Sequence, residues 1–144
     1  MRCADPDAVA RIVRRWLAAL DGPTAAAGAD AFADPVGARY RAGIGGIAEE
    51  VLGGLDAGRT CRHLDEILRV RGAQERTPAQ AVAFVFDLRE ILLEESTLPP
   101  PLVHHRVDQI ALWAFDVYAR CREEVFALRL RELRSPLALR EPAP

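Results

Sequence analysis

The stretch RVRGAQERTPAQAVAFVFDLREILLEE, residues 69–95, decides the fold of this chain. Thr77 is suited to the N-cap of a helix, and Pro78 takes the first helical position, where its missing N–H costs nothing. Gln80 follows Thr77 by three residues, so the pair predicts a capping box. In the helix that follows, the apolar arc covers well over half of the circumference. Such a helix is buried on most sides, and we predict a central helix around which the others pack.

Further helices are predicted on both sides of this stretch. One begins at Asp5-Pro6 and a second at Asp34-Pro35, each with an aspartate suited to the N-cap and a proline at the first helical position. A third ends near Arg71. The run Ser96–Pro101 predicts a stiff, extended linker, after which a last helix runs from about Leu102 to Leu133.

Length and composition fit a single helical domain. The chain has 144 residues, of which half are hydrophobic and 28% are charged, as in soluble globular proteins. No segment alternates with period two over a useful length, so the sequence predicts an all-α bundle of five to six helices with a long C-terminal helix. The domain would cover residues 1–134, followed by a flexible Pro-rich tail at 135–144.

The last helix carries two apolar stripes. One is predicted to face the core, and its members are Val103, Val107, Ile110, Ala114, Val117, Cys121, Val125 and Leu128. The other lies on nearly the opposite side, and its members are Leu112, Phe115, Ala119, Phe126 and Leu130. A helix with two apolar faces usually packs on two sides, and in a short chain the second side predicts a partner subunit. We therefore expect a homodimer through the second stripe.

Two segments carry a resemblance to a known family. Residues 71–86, RGAQERTPAQAVAFVF, and residues 32–37, FADPVG, are similar to segments of the RsbRD N-terminal domain family. Members of that family carry a segment like RAVQDFTPSQAVAFVF and an F-x-N-P-V-G motif, in the same order and spacing. The chain departs from the pattern at Gly72, Arg76 and Asp34, where the family commonly has Ala, an aromatic residue and Asn.

The resemblance implies a fold and a role. The family's domain is globin-like but has no haem, and it acts as a sensory or scaffold input to the stressosome, a complex that captures and releases a switch kinase. There a STAS domain follows, whereas this sequence ends at Pro144, so the resemblance implies a stand-alone regulatory module. Stand-alone relatives include accessory proteins beside dissimilatory sulfur-metabolism genes, which suggests a partner protein in a signalling or sulfur-metabolism complex.

Composition and charge exclude several other classes. The net charge is −2, which provides no basic field for nucleic acid. No run of about 18 apolar residues is present, and the N-terminus lacks the apolar core of a signal peptide, so we expect no membrane insertion. Cys3, Cys61 and Cys121 lie far apart without a CxxC motif, which argues against a disulfide framework or a zinc site and for the cytoplasm.

Few residues are suited to chemistry. Adjacent residues on a helix point about 100° apart, so His104 and His105 cannot easily bind one metal ion there. Pairs such as Glu90 and Glu94 fall on polar helix faces instead of in a cleft, where acid–base catalysis would need them. No nucleophile, base and stabiliser can be assembled, and we predict a non-catalytic protein without metal or cofactor. A small-molecule sensor is the alternative; its haem version would need His63 or His105 against an apolar pocket.

One charged residue interrupts the apolar arc of the predicted central helix. Arg89 lies inside that arc, so its charge must either pair with an acid on a neighbouring helix or face an anionic ligand or partner chain. Arg71, Gln74 and Gln80 flank the loop before the helix. With Arg89 they would form a polar mouth for a ligand or partner, although helix capping alone also explains Gln80.

Overall fold

The computed structural model describes residues 4–21, 35–72 and 77–139. Within these ranges the chain forms helices and no strands. The helices are α1 (Pro6–Asp21), α2 (Pro35–Leu52), α3 (Ala57–Gly72), α4 (Pro78–Val82), α5 (Phe84–Glu95) and α6 (Pro100–Leu139). The predicted all-α bundle with a long C-terminal helix is confirmed. The helix starts at Pro6 and Pro35 also agree with the sequence, whereas Pro100 and Pro101 open α6 instead of extending the linker.

The helices form a closed ring around the core. α1 packs on α2, α2 on α3, α3 on α6, α6 on α5, and α5 returns to α1, while the short α4 lies against α3, α5 and α6. The largest fully buried side chains come from all of these helices but α4, and they include Trp16, Ile44, Leu64, Phe84 and Ile110. The predicted central helix is therefore wrong, because α5 is one member of a ring and leaves Phe86 half exposed.

The apolar segment after Thr77 is divided into two helices at Ala83. The capping box at its start forms as predicted: Thr77 Oγ1 accepts from the Gln80 N–H at 3.2 Å, and Gln80 Oε1 accepts from the Thr77 N–H at 3.0 Å. At the division, the Phe86 N–H donates to Ala83 O at 3.0 Å, a bond that spans three residues instead of four. The backbone therefore has a tighter turn at this position than in the helices on either side.

Side chains from other helices hold the turn between α2 and α3. The Arg106 guanidinium of α6 donates to the carbonyls of Val51 and Gly53, which the end of α2 would otherwise leave unpaired. Glu50 is buried at the same end; it accepts from Arg59 Nε at 2.6 Å and from the Asp56 N–H at 2.9 Å. α2 and α3 are thereby fixed relative to each other and to α6.

The last helix outruns the bundle. Its first five predicted core residues, from Val103 to Val117, are buried. From Arg122 to Arg134 every residue is exposed, so Val125 and Leu128, which were predicted to face the core, do not. No helix in the described ranges has the length and apolar composition that crossing a lipid bilayer requires.

Glu50 generates a pH-dependent prediction. Burial works to raise its pKa, but the hydrogen bonds from Arg59 and the Asp56 N–H outweigh burial and hold the pKa below its ordinary value. Ionised Glu50 therefore contributes stability above its ordinary, unfolded pKa, and this contribution is lost as the pH falls through the lower folded pKa. We expect Glu50→Gln to cost about 1 kcal/mol of unfolding free energy at pH 7.

Urea denaturation of both proteins at pH 7 and near pH 3 measures this difference. The difference in unfolding free energy between wild type and Glu50→Gln should be smaller at the lower pH. Glu49→Gln is the matched control, since the neighbouring Glu49 is exposed, and it should change stability little at either pH. An equal gap for Glu50→Gln at both values would contradict the proposed role of the carboxylate.

Candidate functional site

A buried arginine joins the helices around the division at Ala83. Arg71 is only 5% exposed. Its Nε donates to Ala81 O at 3.0 Å and its Nη2 to Gln80 O at 3.1 Å, the two carbonyls that an unbroken helix would offer to the backbone four residues on. Its Nη1 donates to Tyr40 Oη at 3.3 Å. Arg71 thus takes over the carbonyls released where the helix divides.

Aromatic rings continue this connection to α1. The Arg71 guanidinium lies 5.0 Å from the centre of the Phe84 ring, in cation–π geometry. The Phe84 ring stacks on Trp16 with centroids 5.9 Å apart, and Trp16 Nε1 donates to Phe84 O at 2.8 Å. Arg71 and its contacts therefore link α1, α2, α3, α4 and α5 through polar and aromatic interactions.

Asp87 lies near this cluster on α5. Burial raises the pKa of its carboxyl, and the Arg71 guanidinium opposes the rise. Among the described residues no carboxylate forms an ion pair with Arg71. Backbone carbonyls, a phenol and an aromatic face therefore satisfy the buried guanidinium.

The predicted polar mouth is not assembled as the sequence suggested. Arg71 is in the interior, and the side chain of Gln80 is engaged in the capping box. Arg89 points elsewhere: its Nη2 donates to Asp108 of α6 at 2.6 Å, and its Nη1 lies 3.3 Å from His104 Nδ1. Of the two alternatives for Arg89, the ion pair with a neighbouring helix is the one observed. Gln74 falls outside the described residues.

The second stripe of α6 is on the surface. Leu112, Phe115 and Phe126 are each more than half exposed, Leu130 is 39% exposed, and Ala119 between them is partly exposed. Leu133, which the sequence analysis did not include, extends the stripe and is the most exposed of these side chains. The sequence-predicted dimer residues therefore share one accessible face of one helix, and the homodimer itself stays a prediction.

A groove runs beside this stripe between α3 and α6. Its volume is about 510 Å³. The lining residues are Leu68, Arg69, Gly72, Cys121, Arg122, Val125, Phe126 and Arg129. Phe126 belongs to both the groove and the second stripe. Arg69 is paired with Asp65 and Glu124, whereas Arg122 lies over the Tyr118 ring. Burial raises the pKa of the Cys121 thiol, so the thiol is not activated as a nucleophile.

The histidines do not form a ligand set. His63 packs against α2 at Gly46. A Cβ atom added at Gly46 would lie only 2.3 Å from His63 Cε1, so a larger residue fits there only if the His63 ring moves, and a Cβ atom at Gly43 would clash in the same way with Ile67. Gly43 and Gly46 of α2 thus allow the close approach of α3, whereas Gly45 has open space around it. In the described ranges, no three His, Cys, Asp or Glu side chains group as a metal site would require.

Comparison of the chain with protein-family models, curated proteins and solved structures gives no match. The site is therefore interpreted from its geometry. Sequence reasoning missed the interior position of Arg71, although a signal was present. Arg71 continues the spacing of Leu64, Ile67 and Leu68 on α3, which are all buried, so the same periodicity places Arg71 on the buried face.

Replacing Arg71 tests its structural role. Arg71→Met keeps much of the side-chain length but leaves the carbonyls of Gln80 and Ala81 and the Tyr40 hydroxyl without their donor. We expect a loss of about 2–4 kcal/mol in unfolding free energy, measured by urea denaturation. Arg62→Met on the same helix is the control and should cost less than about 0.5 kcal/mol, because Arg62 is exposed. If Arg71→Met and Arg62→Met lowered the unfolding free energy by the same small amount, the buried contacts of Arg71 would contribute little to stability.

Proposed function

We propose that this protein is a non-catalytic regulatory module of the RsbRD N-terminal type, which transmits a signal through helix packing and dimerisation. The observation that carries the proposal is the exposed second stripe on α6. It continues past the end of the bundle, where every residue from Arg122 to Arg134 is exposed and, among the described residues, the ion pair of Glu124 with Arg69 is the contact to another helix.

The energetics of an unsupported helix favour a partner. The exposed part of α6 spans residues 122–134. A helical segment this short is marginally stable in water when nothing packs on it. The projecting part also exposes Val125, Phe126, Leu128 and Leu133, and a contiguous exposed apolar surface of this kind is characteristic of protein–protein contacts. A second copy would cover the stripe and remove these side chains from water.

The resemblance supports the choice of module. The segment that carries it supplies the capping box at Thr77 and Gln80 and the buried Phe84, so the similar residues have structural roles here. In this proposal the partner beyond the second copy is a protein of a signalling or sulfur-metabolism complex. The long α6 would connect that partner to the bundle, since one half of the helix is core and the other half is accessible.

Replacing two aromatic residues of the stripe tests the dimer. Phe115→Glu combined with Phe126→Glu should give a folded monomer with the chain mass of 15.8 kDa, because two charges per copy would have to be buried in the contact. Light scattering coupled to size exclusion measures the mass, and circular dichroism checks the helix content.

The matched control carries Arg120→Glu and Ala127→Glu, which lie on exposed positions of the same helix away from the stripe. It should keep the wild-type mass. A wild-type protein that is already monomeric at micromolar concentration, or a stripe variant with unchanged mass, would contradict the proposal.

A small-molecule sensor is the second candidate, and the groove between α3 and α6 favours it. About 510 Å³ is within the usual range for small-ligand sites, and the lining combines apolar side chains with arginines. His63 and His105 do not line this groove, so a ligand bound there would not be a histidine-ligated haem.

Native mass spectrometry of protein purified gently from its own host tests the sensor. A retained small molecule that is lost in Val125→Trp, which narrows the groove from its exposed side, would establish binding there; Leu112→Trp, on another face of α6, should retain it. A protein that retains no small molecule would contradict the sensor hypothesis. For the haem version, an unchanged visible spectrum after haem addition is the expected result.

A further inference from the structure

The second stripe of α6 has a repeat of seven residues. An apolar residue recurs every seven positions at Leu112, Ala119, Phe126 and Leu133. Two further apolar residues lie beside them on the same face, Phe115 and Leu130. At about 100° per residue these side chains cluster within about 30° of one direction, roughly 150° away from the buried stripe of Val103 to Val117. Apolar residues that repeat every seven positions are typical of a helix that pairs with another along its length. Here one position repeats four times, and the stripe has a further apolar residue at Phe115 and at Leu130.

Charged residues border this stripe asymmetrically. Arg122 and Arg129 lie about 50° and 70° to one side of its centre, whereas Glu123 and Asp116 lie about 50° and 70° to the other side. All four are exposed. The stripe therefore has a basic edge and an acidic edge; Arg134 follows at the far end of the acidic edge, about 16 Å beyond Glu123.

The two edges distinguish the orientations that a symmetric pair could take. In a parallel pair the two-fold axis runs along the helices, so the basic edge of each copy meets the acidic edge of the other. In an antiparallel pair the axis crosses the helices, so basic meets basic and acidic meets acidic. Like charges placed across a helix contact are destabilising, whereas opposite charges stabilise it.

We propose that the partner on this surface is a second copy of the chain in parallel orientation, with Arg122 of each copy paired to Glu123 of the other. This inference rests on the proposed dimerisation and adds its orientation and register. Each residue of the second stripe then meets the same residue of the other copy across the two-fold axis, from Leu112 to Leu133. Both bundles then lie on the outer sides of the paired helices, because the buried stripe faces away from the contact.

The parallel arrangement has a consequence for signalling. The projecting ends of α6 leave the pair side by side and in the same direction. A shift of one bundle relative to the other would change the crossing or register of the paired helices at their far ends. Any protein bound to those ends would receive two adjacent copies of the same segment.

Distances between matching positions test the orientation. Gln109→Cys and Arg134→Cys, made separately in a variant whose native cysteines are replaced by alanine, carry spin labels at opposite ends of α6. In a parallel dimer both label pairs should lie within about 30 Å. The two positions are 25 residues apart, so in an antiparallel dimer of any register at least one pair is separated by about 37 Å or more along the helices.

Charge exchange tests the Arg122–Glu123 pairing. In a parallel dimer Arg122→Glu and Glu123→Arg each replace two attractive pairs by two repulsive ones, so each should raise the dimer dissociation constant roughly tenfold. The double exchange should restore it to within about threefold of wild type. Arg120→Glu, the same change off the stripe, should leave it unchanged.

The outcomes separate this inference from the function on which it rests. A dimer with one long label distance, or one whose dissociation constant is insensitive to the single exchanges, overturns the parallel orientation and leaves dimerisation intact. A protein that is monomeric before labelling overturns both. Two short distances, together with rescue by the double exchange, establish the parallel pair.

Discussion

The fold depends on a buried guanidinium. A charge that is almost fully withdrawn from water requires a complete set of acceptors, because an unsatisfied donor in the interior costs about 1–3 kcal/mol. Arg71 obtains its acceptors from the carbonyls of Gln80 and Ala81 and from Tyr40, and it uses Phe84 as a flat face. The carbonyls of Gln80 and Ala81 lie just before the division at Ala83, so the division and the burial of Arg71 occur together in the structure.

This constraint extends through the ring of helices. Phe84 is stacked on Trp16 and accepts its indole N–H, which closes the ring between α5 and α1. Arg106 has the same relation to the end of α2 that Arg71 has to the end of α4, since each arginine supplies donors to carbonyls that a helix terminus leaves free. The bundle is therefore held at its helix ends by arginines that reach across it, in addition to its apolar core.

Most local signals in the sequence led to correct predictions, the exception being the proline run in which Pro100 and Pro101 open α6. The capping box at Thr77 involves only residues three apart, and the helix starts at Pro6 and Pro35 require only the local signal of a proline at the first helical position; all could be predicted. The division at Ala83 could not, because no local breaker marks it and the carbonyls beside it are bound by Arg71 from another helix. The exposure of Val125 and Leu128 was also missed: their spacing continues the core stripe, and the end of the bundle is set by the length of its neighbours.

The same distribution of polar groups argues for a regulatory role. The interior arginines are engaged with backbone carbonyls, the carboxylate of Glu50 is engaged in a turn, and the ion pair of Arg89 with Asp108 joins α5 to α6. Among the described residues, these groups fix helices against one another, and most of the exposed large apolar side chains lie on α6, whose first half belongs to the core. Force or displacement at the exposed half of α6 must reach the buried half, because a continuous helix transmits rotation and translation along its axis. The proposed role requires this arrangement, because a helix that belongs to the core and also bound a partner would couple the packing of the bundle to that partner.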